Sequence, residues 1–104
     1  MNTLEQLEAT IRQRSGADPA SSYVAQLNAR GVPVMARKLG EEATEAIVAA
    51  LSGDAAELTA EAADVVFHLM VLLQAKGIAW SDVLAELERR EGLSGLAEKA
   101  ARKG

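Results

Sequence analysis

The stretch from Val65 to Leu73 constrains the architecture more than any other part of the chain. It reads Val65-Val66-Phe67-His68-Leu69-Met70-Val71-Leu72-Leu73, apolar at every position except His68. On a helix, at about 100° per residue, such a run places apolar side chains around almost the whole circumference. The helix must therefore be buried on nearly every side. It is far too short to cross a bilayer, which takes about 20 residues. A chain of 104 residues can scarcely cover such a helix alone. The expectation is a helix at the middle of a bundle completed by a second copy of the chain, a homodimer with two-fold symmetry.

Composition agrees with a bundle. Apolar residues make up 49% of the chain, but Tyr23, Phe67 and Trp80 are its only aromatic residues, so the core must be built from Leu, Val, Ile and Ala. Ala-rich faces favour closely packed helices. The predicted fold is all-α, a bundle of about five helices forming one domain over residues 1–104. The absence of cysteine excludes a disulfide scaffold, thiolate-bound zinc and a Cys nucleophile. A net charge of −4, with the basic residues scattered, argues against a nucleic-acid backbone as partner but leaves room for a small anionic ligand screened by a metal. The start, Met1 to Glu8, carries acids and lacks an apolar segment, so it does not read as a secretory signal. With no membrane span either, a cytoplasmic location is the expectation.

Thr3 is the expected cap of a first helix carrying Leu4, Leu7 and Ile11, stopped by Ser15-Gly16-Ala17-Asp18-Pro19. Ser21 or Ser22 opens a short second helix ended by Gly31. Pro33 suits the first turn of a third, running to about Leu51 and closed by Ser52-Gly53, with Leu39, Ala43, Ala46, Ile47, Ala50 and Leu51 as its core face. Gly40 inside that helix costs about 1 kcal/mol relative to Ala and calls for a reason, close approach of a neighbouring helix ahead of approach by a ligand phosphate. Asp54-Ala55-Ala56-Glu57 reads as a capping box for a fourth helix continuing to Lys76 and Gly77. Ser81 is the expected cap of a fifth, with Val83, Leu84 and Leu87 packed, followed by Gly92 and Gly95. Leu96 to Gly104 reads as a polar helical tail or a partly disordered one.

The chemistry lies on the third and fourth helices. Glu41, Glu42 and Glu45 fall within a sector of roughly 100°, with Lys38 one turn earlier on the same sector. Glu61, Asp64 and His68, at spacings of three and four, form a second stripe. If the stripes face each other, their repulsion requires a positive charge between them. An all-oxygen cluster suits Mg²⁺ held by carboxylates and substrate phosphates. The other reading is two solvated helix faces whose acids never meet. Water is the obvious nucleophile, and a glutamate can take its proton directly or through a metal-bound hydroxide, Glu41 and Glu45 being the catalytic candidates. His68 reads as a partly buried imidazole bonded to Asp64 that orients its carboxylate or satisfies the core. A di-iron bundle is excluded by the single His, since that site needs Glu-x-x-His on two helices. Lys38 is preferred to Arg37 as a phosphate contact, its plain alternative being a surface pair with Glu42 or Glu45.

Glu41-Glu42-Ala43-Thr44-Glu45 followed by Glu61-Ala62-Ala63-Asp64 resembles the signature of the all-α, MazG-type nucleoside triphosphate pyrophosphohydrolases. The longer Lys38-Leu39-Gly40-Glu41-Glu42 context, Glu61 to Leu69 and the upstream Ser22-Tyr23-Val24-Ala25-Gln26-Leu27 resemble the phosphoribosyl-ATP pyrophosphatases of histidine biosynthesis, over roughly residues 3–90. Val24 stands where that family usually has Thr. The resemblance implies Mg²⁺-dependent hydrolysis of phosphoribosyl-ATP to phosphoribosyl-AMP and pyrophosphate by an all-α dimer. It also implies Glu42, Glu45, Glu61 and Asp64 as metal ligands, Glu41 as a further ligand or water-positioning group, and Lys38, Ser22 and Tyr23 as substrate contacts. Two alternatives stand beside it: a house-cleaning pyrophosphohydrolase of ordinary or damaged nucleotides, and a non-catalytic helical dimerisation module.

Overall fold

A computed structural model describes residues 2–91 and 95–102, so Gly92 lies outside the described residues, as do the last two positions of the tail. The elements are α1 (Thr3–Arg14), α2 (Tyr23–Arg30), α3 (Val32–Ser52), α4 (Ala55–Ala75), α5 (Trp80–Glu91) and α6 (Gly95–Arg102). Every one is a helix, and no strand occurs among the described residues. The predicted all-α class is what the chain adopts. The front of the expected tail forms α6.

Local chemistry sets most boundaries. Ser22 caps α2 by accepting the Ala25 N–H, and Gly31, at φ 95°, separates α2 from α3. Gly53, in the left-handed region at φ 85°, ends α3. Asp54 then accepts the N–H groups of Ala56 and Glu57 at 3.0 and 3.1 Å, capping α4. Two expected caps fall elsewhere. Asn2, not Thr3, caps α1 by accepting the Glu5 N–H, because the helix already includes Thr3. Ser81 lies inside α5, whose first residue, Trp80, donates its N–H to Glu8 Oε2 at 2.7 Å. A carboxylate from α1 thus occupies the start of α5, satisfying an amide that has no partner within its own helix.

Ile11, Val24, Leu27, Met35, Met70 and Val71 form the buried core, contributed by the first four helices. Filling it with a side chain such as Ile11 or Leu27 stabilises the fold by about 2 kcal/mol each relative to exposure. The packed face of α3 is rotated from its expected position. Met35 and Ala49 are buried, whereas Ile47 is 61% and Leu51 84% exposed and Ala50 is open to solvent. The helix turns its Glu42 side toward α4, which rolls Ile47 and Leu51 outward. Within one chain α4 is likewise covered in part: His68, Met70 and Val71 are buried, while Val65, Leu69, Leu72 and Leu73 are half-buried. Gly40 is also not explained by helix packing, since a Cβ there would meet nothing within 4 Å.

The cap at Asp54 carries a simple expectation. Asp54→Ala should lower stability by about 1 kcal/mol, and Asp54→Ser should recover most of it. Urea denaturation of the three proteins measures this, and an unchanged midpoint in the Ala variant would contradict the assignment of the cap.

Candidate active site

Only Gly53 and Asp54 separate α3 from α4, so the two helices fold back on each other as an antiparallel hairpin. Glu45 stands seven residues before the end of α3 at Ser52, and Glu61 six residues after the start of α4 at Ala55. They therefore sit at the same height on facing helices. Glu42, one turn further from the hairpin loop, joins them. One carboxylate oxygen from each of Glu42, Glu45 and Glu61 lies within 4.8 Å of the others. The two acidic stripes meet.

Electrostatics in this cluster are unfavourable without a cation. Glu61 is half-buried, and its Oε2 is enclosed with no hydrogen-bond partner. Desolvation holds the Glu61 carboxyl above its ordinary range, and the charges of Glu45, Asp64, Glu42 and Glu57 push it further in the same direction. A bare carboxylate oxygen facing two others is a donor set suited to a hard divalent cation. Glu45 is exposed, while Glu42 is half-buried. Asp64, expected as a fourth ligand, acts on Glu61 through its charge but is not among the three converging side chains. Glu57, missed in the sequence reading, stands one turn before Glu61 and lines with it, Glu45 and Thr44 an open depression. Its i, i+4 relation to Glu61 is the signal that could have found it.

Glu41 points away from the cluster. It pairs with Arg37 Nε and with Lys38 Nζ, each at 3.4 Å, beside a second shallow depression lined by Gly40, Thr44 and Glu45. Lys38 thus pairs with Glu41 rather than with Glu42 or Glu45. The exposed Arg37 pair is worth little, and the Lys38 pair, half-buried on the lysine side, is still open to solvent at Glu41. Ser22 uses its hydroxyl oxygen in the α2 cap, and the next residue, Tyr23, meets His68 Nε2 at 3.1 Å. The other ring nitrogen, Nδ1, lies 2.9 Å from the backbone carbonyl oxygen of Asp64. His68, only 5% exposed, therefore binds the main chain of Asp64 and not its carboxylate. A helical imidazole can reach back to the i−4 carbonyl, and here that satisfies it without turning the acid.

Comparison with known proteins is consistent with this arrangement. Residues 4–91 match the family model described as phosphoribosyl-ATP pyrophosphohydrolase. The chain belongs to the phosphoribosyl-ATP pyrophosphohydrolase family. It is 66% identical to a phosphoribosyl-ATP pyrophosphatase of Erythrobacter litoralis, over 98% of both chains. Similar relatives with the same description occur in Rhizorhabdus wittichii, at 63% identity over 96% of this chain and 94% of the other, and in Novosphingobium aromaticivorans, at 61% over 95% and 92%. Membership in the phosphoribosyl-ATP pyrophosphohydrolase family makes the chain an enzyme, a pyrophosphohydrolase, whose class of substrate is a nucleotide and for which a divalent metal fits the carboxylate cluster. Among the described residues no single helix is long and apolar enough to cross a membrane.

The raised titration of Glu61 has a defined sign. In the metal-free protein the folded state holds this proton more tightly than the unfolded chain does. Stability is therefore lost as pH rises from the ordinary carboxylate range through the raised value. Urea denaturation in the presence of a chelator should show Glu61→Gln gaining stability relative to wild type over that interval, with the difference vanishing at lower pH. A difference independent of pH would contradict the assigned electrostatics.

Proposed function

We propose that the chain hydrolyses phosphoribosyl-ATP to phosphoribosyl-AMP and pyrophosphate in histidine biosynthesis, using Mg²⁺ in the cytoplasm. The observation that carries this reading is the match of residues 4–91 to the phosphoribosyl-ATP pyrophosphohydrolase family, and the convergence of Glu42, Glu45 and Glu61 around an unpartnered, enclosed Glu61 oxygen supports its metal. Those three residues would hold the cation, with Asp64 adding its charge beside them. When bound, Mg²⁺ supplies positive charge against the polyphosphate oxygens and acidifies bound water. Water attacks phosphorus, the bond between the α and β phosphates breaks, and the proton of the attacking water passes to a carboxylate. Glu45, exposed beside the cation, and Glu41, once released from Arg37 and Lys38, are the two candidates for that transfer. Lys38, paired with Glu41, is the side chain that would turn to the phosphate oxygens as the polyphosphate arrives.

The same reading assigns a homodimer. Ile47, Val48 and Leu51 project from one side of α3 with exposures of 61%, 60% and 84%. Together with the half-covered apolar sides of α4, they form the surface that a second copy would bury. A double substitution, Ile47→Glu with Leu51→Glu, should convert the dimer to monomer in sedimentation analysis. A wild-type chain that sediments as a monomer at micromolar concentration would refute the dimer.

Activity is tested by incubating the protein with phosphoribosyl-ATP and Mg²⁺ and measuring pyrophosphate. Release should occur, and Glu45→Gln should lower kcat/KM by about a hundredfold or more. Hydrolysis of ordinary nucleoside triphosphates without action on phosphoribosyl-ATP would replace this reading with a house-cleaning one. No hydrolysis of either would leave a binding module.

A further inference from the structure

The carboxylate cluster accounts for the phosphate end of a nucleotide but leaves open which part of it Tyr23, a substrate contact by resemblance, would meet. Tyr23, Phe67 and His68 gather where α2 meets α4. The Tyr23 and Phe67 rings stack with centroids 6.1 Å apart and planes 19° from parallel, and His68 meets both edge-on at 5.9 and 5.1 Å. Two of the three aromatic residues and the single histidine of the chain are thus collected in one place. His68 follows Glu61 by seven residues, so this cluster begins about 10 Å further along the α4 axis than the carboxylates.

Hydrogen-bond bookkeeping fixes the polarity of Tyr23. The Asp64 carbonyl oxygen, 2.9 Å from His68 Nδ1, can only accept, so Nδ1 carries the proton. In the neutral ring Nε2 is then a bare acceptor, and at 3.1 Å it takes the phenolic proton of Tyr23. The Tyr23 oxygen is left with lone pairs only. The residue is 45% exposed, on a part of the surface that a ligand can reach. An ionised phosphate offers acceptors alone and gains nothing from such a group. A ribose hydroxyl or a base N–H does.

We propose that Tyr23 is a specificity residue for the nucleoside half of the substrate, with His68 as the positioning residue that keeps its hydroxyl an acceptor. The inference rests on the reading of the chain as a phosphoribosyl-ATP pyrophosphatase and divides that substrate between two places on α4. Its phosphate end lies at Glu42, Glu45 and Glu61, and a hydroxyl or amine of its nucleoside end donates to Tyr23. Tyr23→Phe keeps the ring but removes the acceptor together with the hydroxyl's hydrogen bond to His68 Nε2, and pyrophosphate binding reads whether losing that bond disturbs the rest of the site.

The two reaction products are the two halves of the substrate, which supplies the test. Calorimetric titration of phosphoribosyl-AMP and, separately, of pyrophosphate in the presence of Mg²⁺ should show Tyr23→Phe weakening the former about three- to tenfold and leaving the latter unchanged. Equal weakening of both would place phosphate on Tyr23 and overturn the proposal, and so would no change in either. Nitrogen-15 NMR of the wild-type protein reads the second element without any variant: the His68 proton should reside on Nδ1, and a proton on Nε2 would overturn the assigned polarity. Product binding is measured without turnover, so a failure of wild type to hydrolyse phosphoribosyl-ATP would count against the proposed activity alone.

Discussion

Glu42, Glu45 and Glu61 are pressed together by the packing of α3 on α4, against their own repulsion. Two unit charges about 4 Å apart oppose each other by roughly 4 kcal/mol at an effective dielectric near 20. Nothing in the cluster itself offsets that cost. It is the apolar packing of α4, through Met70 and Val71 against Ile11, Val24, Leu27 and Met35, that holds the hairpin closed. Desolvation raises the Glu61 carboxyl above its ordinary range, and the charges of Glu45, Asp64 and Glu42 raise it further. A fold that keeps three acids in contact has stored the means to hold a cation, and a short hairpin loop fixes the height at which they meet.

The same geometry orders the rest of the site. Around the cluster, Glu41 keeps two cationic side chains nearby without placing them in it. Further along α4, His68 provides a buried ring, and Tyr23 of α2 sets its hydroxyl against it. Carboxylates lie nearest the hairpin loop of the α3–α4 pair, and about two turns beyond them Lys38 of α3 and His68 of α4 stand at one height, with Tyr23 of α2 against His68. A nucleotide has the same order of parts: metal-bound phosphates at one end and a hydroxyl-bearing sugar with its base at the other.

Much of this was legible from spacing. The caps at Ser22 and Asp54, the Gly31 and Gly53 breaks and the meeting of Glu42, Glu45 and Glu61 follow from local chemistry and from counting residues on either side of a tight turn. What was not legible depended on contacts between distant parts of the chain. Trp80 begins α5 because Glu8, 72 positions away, accepts its N–H, and no local signal at Ser81 competes with that. The rotation of α3 that exposes Ile47 and Leu51 depends on how the whole helix rolls against α4, which apolar periodicity alone does not set. His68 was expected to bond Asp64 and either orient its carboxylate or satisfy the core, and the bond goes to the i−4 carbonyl of Asp64 while the Tyr23 hydroxyl completes its hydrogen bonding. Gly40 was expected under a neighbouring helix and instead faces open space. The reaction itself rested on resemblance, because spacing alone reached no further than a metal and a phosphate.

The central claim is that the three converging carboxylates form one divalent-cation site. Titrating Mn²⁺ into the full chain by calorimetry, with wild type and Glu61→Gln side by side, tests it most directly. Saturable binding in wild type that is lost or weakened at least about tenfold in the variant is the predicted result. Equal binding by both proteins, or none by either, would contradict the account.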